Sequence, residues 1–165
     1  AQAIALTGAT LEMVAHGLIT GALFLISGSI LARGASYEID AYGGLLHRAP
    51  RLTALTVLAG FASLGLPGLA GFVAEVQIFT GTLAVYPWLA GVALLGIVIT
   101  AALFLRLLGR VFLGGLPEQW SEFSDLTRVE ALALGGLLVF VVGIGIVPGW
   151  LLEVIDSFAG VFVGR

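Results

Sequence analysis

Gly65-Leu66-Pro67-Gly68-Leu69-Ala70-Gly71-Phe72-Val73-Ala74-Glu75-Val76-Gln77-Ile78-Phe79 is an apolar run that holds a single carboxylate, Glu75, a few residues after a Gly-Leu-Pro-Gly sequence. An ionised side chain at membrane depth costs about 2.5–3.5 kcal/mol on insertion scales, so it faces a protein interior or a water-filled path and marks ion or proton traffic. Proline removes a backbone donor and clashes with the preceding turn, and glycine loosens it further. A spanning helix is therefore predicted to break near residues 65–71, at Gly65, Pro67, Gly68 and Gly71. Irregular backbone is tolerated in a bilayer only where it is buried in protein or lines a cavity. A broken helix beside a buried acid reads as a transport element.

The rest of the chain supplies the membrane. Of 165 residues, 59% are hydrophobic and only 10% charged, and the mean hydropathy is +1.13; such values exclude an ordinary soluble domain. There is no cysteine, hence no disulfide framework, thiol nucleophile or cysteine metal site. All seven basic residues are Arg and none is Lys, so a lysine of adjustable pKa is not among its tools. No P-loop, dinucleotide fingerprint, catalytic triad or metal-ligand spacing occurs; no cofactor, metal or nucleic-acid partner is expected. Ala1-Gln2-Ala3-Ile4 lacks an initiator Met and a basic region before an apolar stretch, which does not fit a signal peptide and reads as the start of a fragment of a longer subunit.

About 20 apolar residues cross a bilayer, and four stretches qualify: residues 3–32, 52–86 with its break near 65–71, 88–112 and 130–155. The fold class expected is all-α, a polytopic transmembrane helical bundle with one discontinuous helix, multi-pass in a plasma or inner membrane. Tyr86-Pro87-Trp88 makes a tight interfacial turn with aromatic residues at headgroup depth. Arg33, Arg48, Arg51, Arg106, Arg110 and Arg128 fall at the two polar loops on one side, against Arg165 alone on the other; this bias puts both loops in the cytoplasm and both chain ends opposite. Gly17 with Gly21, and Gly91 with Gly96 nearby, are expected to serve helix packing.

Three ionisable residues lie well inside the spans, away from their ends. Glu75 is the first candidate for proton exchange; the plainer alternative is a protonated, hydrogen-bonded carboxylate that only holds the broken helix together. His16 has Glu12 one turn before it and Thr20 one turn after, a polar stripe on one face. Imidazole exchanges protons near neutral pH, so His16 is a relay candidate; the alternative is a neutral histidine bonded to Glu12 or to a neighbouring helix. Glu12 lies at mid-depth or nearer the outer interface. Arg106 and Arg110 read as interface anchors, Glu130 as a carboxylate at a helix N-terminus, Glu153 and Asp156 as solvated, and His47 as a surface residue.

In order along the chain, His16-Gly17-Leu18, Ala22-Leu23-Phe24-Leu25 with Gly28, Ala41-Tyr42-Gly43-Gly44-Leu45, and Gly65-Leu66-Pro67-Gly68 with Gly71-Phe72-Val73 and Glu75 resemble the C-terminal third of the antiporter-like subunits of respiratory complex I. The likeness is strong over most of residues 1–90 and rests on hydropathy beyond. It implies helices eleven to fourteen of a fourteen-helix subunit with two inverted repeats, and a central hydrated axis of Glu, Lys and His. Several relatives carry Lys at the place of Glu75; Glu is similar to the subunit M branch, the counterpart of mitochondrial chain 4. His16 matches the family's helix-eleven histidine, whereas Glu12 stands where a neutral polar residue is expected. The family's earlier half, with its own glutamate, broken helix and buried lysines, is not in this sequence.

The resemblance implies a proton-translocating subunit of a NADH-quinone oxidoreductase that contributes the exit half of one channel, does no redox chemistry itself, and has other membrane subunits, lipid and protons as partners. A cation/proton antiporter or membrane-bound hydrogenase subunit would use the same scaffold. A structural membrane subunit, its polar residues only locking helices together, is the third reading.

Overall fold

Proline and glycine set where the helices begin and stop. In the computed structural model, which describes residues 2–162, the order is α1 (Gln2–Gly34), α2 (Pro50–Ser63), α3 (Ala70–Leu83), α4 (Pro87–Val111), α5 (Arg128–Ile146) and α6 (Gly149–Phe162). Strands are absent among the described residues. Pro50 and Pro87 open α2 and α4, where the missing N–H would have no partner anyway. Three helices, α1, α4 and α5, are long and apolar enough to cross a membrane; the chain is a multi-pass membrane protein. At 1.5 Å per residue the 14-residue α2 and α3 are each about 21 Å long and cannot cross about 30 Å of hydrocarbon alone. Placed end to end, the pair is long enough to do so.

The join between α2 and α3 is closed by its own backbone. Gly65 is left-handed (φ +64°), its N–H donates to the Ala62 carbonyl at 3.3 Å and the Leu66 N–H to the Phe61 carbonyl at 3.1 Å. These two bonds make a Schellman motif, with Pro67 following where a helix cannot continue. Gly71 departs from expectation. It lies inside the first turn of α3, and a Cβ there would sit 2.7 Å from the Ala62 carbonyl oxygen, so its role is close approach of the two half-helices.

The stretch 130–155, expected as one span, is also two helices. α5 stops at Ile146 and α6 restarts at Gly149, because Pro148 holds Val147 in non-helical backbone (φ −128°, ψ 69°). Asp156 is exposed, as expected of a solvated residue, and also accepts a hydrogen bond from the Thr7 hydroxyl that ties α6 to the start of α1. Ala1 and residues 163–165, with the Arg165 counted for orientation, lie outside the described residues.

Packing falls into two clusters. One, around Leu45, Leu52, Phe112, Leu134 and Leu138, joins the loop end of the bundle. The other, around Leu11, Ala15, Ala70, Ala74 and Val141, joins α1, α3 and α5 at the opposite end. Small residues bring the helices close, though not the expected ones. Among the described residues a Cβ on Gly17, Gly91 or Gly96 would meet nothing within 4 Å and one on Gly21 would only touch Leu137 of α5 at 3.8 Å, whereas one on Gly8 would strike Gln77, Ile78 and Ala74 of α3 at 2.8–2.9 Å.

The two polar loops interlock at one end. Asp125 accepts the N–H groups of Arg51 and Leu52, both at 3.0 Å, and so caps α2 from the other loop. Arg33 reaches Glu130 with both terminal nitrogens, at 2.9 and 2.7 Å, while Glu130 and Thr127 form the capping box of α5. Trp120 stacks on Tyr42 at 5.1 Å and its indole N–H donates to the Ala41 carbonyl at 2.7 Å.

Candidate functional site

Glu75 sits in the second turn of α3, because the Schellman turn ends α2 and Ala70 restarts the helix five residues before it. Its carboxylate lies over Gly65: a Cβ there would meet the Glu75 Cδ at 2.7 Å and overlap an oxygen. The break thus supplies two things at once, a left-handed turn and a space without a side chain.

A cavity of about 270 Å³ opens at this point, lined by Glu12 of α1, Ser63 and Leu64 at the end of α2, Glu75 of α3 and Thr100 of α4. Four elements therefore converge on two carboxylates. Glu12 and Glu75 face the same cavity, where two ionised carboxylates would repel one another. One oxygen of Glu12, Oε2, is shut from solvent and has no hydrogen-bond partner among the described residues, which leaves it able to hold or accept a proton. The Thr100 hydroxyl donates to the Gly96 carbonyl at 2.9 Å, so its oxygen remains free to accept from the cavity.

The expected polar stripe divides. Glu12 lines the cavity and His16 does not: the imidazole is exposed on α1, and the Thr20 hydroxyl one turn on donates to the His16 main-chain carbonyl at 2.6 Å, not to the ring. Four residues turn a helix about 400°, so His16 is offset about 40° from Glu12, enough to leave the crevice between α1, α3 and α4. Of the residues foreseen at the break, Gly65 packs under Glu75, Pro67 and Gly68 are exposed in the turn, and Gly71 is buried in α3. Ser63 and Thr100 were not foreseen; Thr100, a hydroxyl in an otherwise apolar span, was the available signal.

No cluster of three or more His, Asp or Glu side chains converges among the described residues. The chemistry on offer is transfer of a proton between two oxygen acids, with hydroxyls beside them, in a half-enclosed space.

Comparison with known proteins agrees with this architecture. The model of the NADH:quinone oxidoreductase/Mrp antiporter transmembrane family matches residues 1–100. NADH-quinone oxidoreductase subunit M of Rhodobacter capsulatus is 37% identical over 149 residues, 90% of this chain and 29% of that protein. Subunit M of Rickettsia prowazekii is 33% identical over 152 residues, 92% of this chain and 31% of that protein. A chain of respiratory complex I from Thermus thermophilus with bound NADH superposes with a TM-score of 0.90 at 31% identity, covering 98% of this chain and 34% of that one. The chain thus spans about a third of the length of the relatives it matches.

Proposed function

Because this chain belongs to the NADH:quinone oxidoreductase/Mrp antiporter transmembrane family, we propose that it is the portion of a proton-translocating subunit, of the subunit M kind, that carries the exit half of a proton channel in a NADH-quinone oxidoreductase. In this reading it sits in a bacterial inner membrane among other membrane subunits, exchanges protons with the water that reaches it, and does no redox chemistry of its own. Glu75 is the exchanging carboxylate. Glu12 is its immediate partner, and His16 carries the path from the exposed face of α1 toward parts of the subunit beyond this chain.

The observation that supports this most is the joint placement of Glu12 and Glu75 on one cavity at the helix break. A carboxylate that only locked helices together would be bonded to a neighbour, and among the described residues no side-chain or backbone donor reaches Glu12 Oε2. Protons move between such groups because each can be neutral while the other is charged, and like charges at short range disfavour double ionisation.

Glu75→Gln in the assembled complex tests the reading. The amide keeps size and hydrogen bonding but carries no exchangeable charge. Reconstituted in vesicles, the variant complex is expected to assemble and lose most of its proton pumping, with quinone reduction falling in step where the two are tightly coupled. Normal pumping by an assembled Glu75→Gln complex would make the carboxylate structural and move the locking role ahead.

A further inference from the structure

α5 ends against the turn over which Glu75 lies. A Cβ on Gly145 would sit 2.2 Å from the Gly68 carbonyl oxygen and 2.4 Å from the Leu69 Cα, closer than a Cβ on any other described glycine would come to backbone. A side chain struck in this way can rotate aside; backbone cannot. Ordinary contact begins at about 3.4 Å, so a methyl at residue 145 would push α5 and the turn apart by about 1 Å.

That displacement would fall under Glu75. Leu69 immediately precedes α3 and Ala70 opens it, and Leu69, Ala70 and Ala74 share a buried cluster with Val141 and Ile144 of α5. The turn is closed by its own bonds, since the Leu69 N–H donates to the Leu66 carbonyl and the Leu66 N–H to the Phe61 carbonyl, both at 3.1 Å. Glu75 lies over Gly65, while α5 bears on Gly68 and Leu69, three and four residues along the same turn. Six residues separate Leu69 from Glu75, about 9 Å along a helix, and the i to i−4 bonds of α3 carry a shift of its first turn to the second.

α5 is also cut to length for this contact. Pro148 holds Val147 out of helical backbone, so the straight run of α5 finishes one residue past Gly145, beside the turn. Small residues between helices serve close packing in general, but the surface approached here is a helix break whose other contact is a carboxylate. On the reading of Glu75 as the exchanging carboxylate, we propose that Gly145 is a positioning residue. With no side chain, it seats α5 on the backbone of Gly68 and Leu69 and so fixes the turn on which the Glu75 carboxylate lies.

The experiment uses the assembled complex in vesicles, as wild type, Gly145→Ala, Gly143→Ala, Leu134→Ala and Glu75→Gln, with proton pumping measured across a range of pH and thermal unfolding measured alongside. A misplacement of about 1 Å can cost a hundredfold in rate. Pumping by Gly145→Ala should fall at least about tenfold, and a limb of its pH profile should move by about one unit, because burial and neighbouring groups set where a carboxyl titrates. Gly143→Ala makes the same change on the same helix, where a Cβ meets nothing within 4 Å, and should pump as the wild type does. Leu134→Ala empties part of the core at the loop end of α5; it should lower the unfolding temperature and leave the pH profile in place. Should Gly145→Ala not assemble, Leu69→Ala loosens the same joint and is expected to move the profile likewise. A wild-type profile in whichever of these two assembles, or an equal displacement in Leu134→Ala, would overturn the assignment. Glu75→Gln tells the two failures apart. Normal pumping by that variant removes the reading of Glu75 and the positioning role with it, whereas lost pumping there beside a wild-type profile in Gly145→Ala removes the positioning role alone.

Discussion

Replacing Gly65 by alanine separates two contributions that the helix break combines. At φ +64° an L residue costs about 1–2 kcal/mol through its own Cβ and carbonyl. The added methyl also overlaps the Glu75 carboxylate, which must leave its rotamer at about 0.5–1.5 kcal/mol. The sum is about 1.5–3.5 kcal/mol, and Glu75 is displaced within its cavity. Gly68 is the control, because it too has positive φ (+92°) while a Cβ there meets nothing within 4 Å; Gly68→Ala should cost only the backbone part, about 1–2 kcal/mol. Thermal unfolding of the detergent-solubilised complex compares the stabilities, and proton uptake by vesicles compares the pumping. The Gly65 variant should lose pumping out of proportion to its stability, the Gly68 variant should not. Equal pumping by the two variants would refute the claim that Gly65 is small for the sake of the carboxylate.

Two further outcomes follow from the loop end. Asp125→Ala removes both acceptors at the start of α2 and should destabilise the bundle by about 1–2 kcal/mol, the range of lost helix caps, measurable by thermal unfolding; an unchanged midpoint would deny the cap a role. Cysteines placed at Ser36 and Ser124, one on each interlocked loop, should react with a membrane-impermeant maleimide only after the cells are opened, as the arginine bias requires; labelling in sealed cells would invert the orientation.

Much of the fold was legible because it is written in local signals. Gly65 and Pro67 end α2, Pro87 starts α4, and each acts through its own backbone. The break at Pro148 was equally local, yet hydropathy runs unbroken through 130–155 and a span-length window averages across it. The pairing of Glu12 with Glu75 is of another kind. It depends on α1 and α3 touching backbone to backbone at Gly8, and nothing near residue 12 encodes which helix will lie against it. His16 shows the same limit from the other side: its spacing from Glu12 promised a shared face, and a 40° offset was enough to part them. The loops read as polar because composition averages over Tyr42, Trp120 and Phe123, whose rings form their interior.

The fastenings of α2 have a consequence for any shortened chain. Its first N–H groups wait for Asp125, more than seventy residues downstream, and the outer side of its break waits for Gly145 of α5, whose missing side chain lets it rest on the backbone of Gly68 and Leu69. Both holdfasts follow α2 and α3 along the chain. Without the loop before α5 the N–H groups of Arg51 and Leu52 lack this acceptor, and without α5 the turn at Gly68 and Leu69 lacks its cover. The later part of the chain thus fastens the earlier pair of half-helices, and a chain that stops before α5 should hold that pair less firmly than one that includes it.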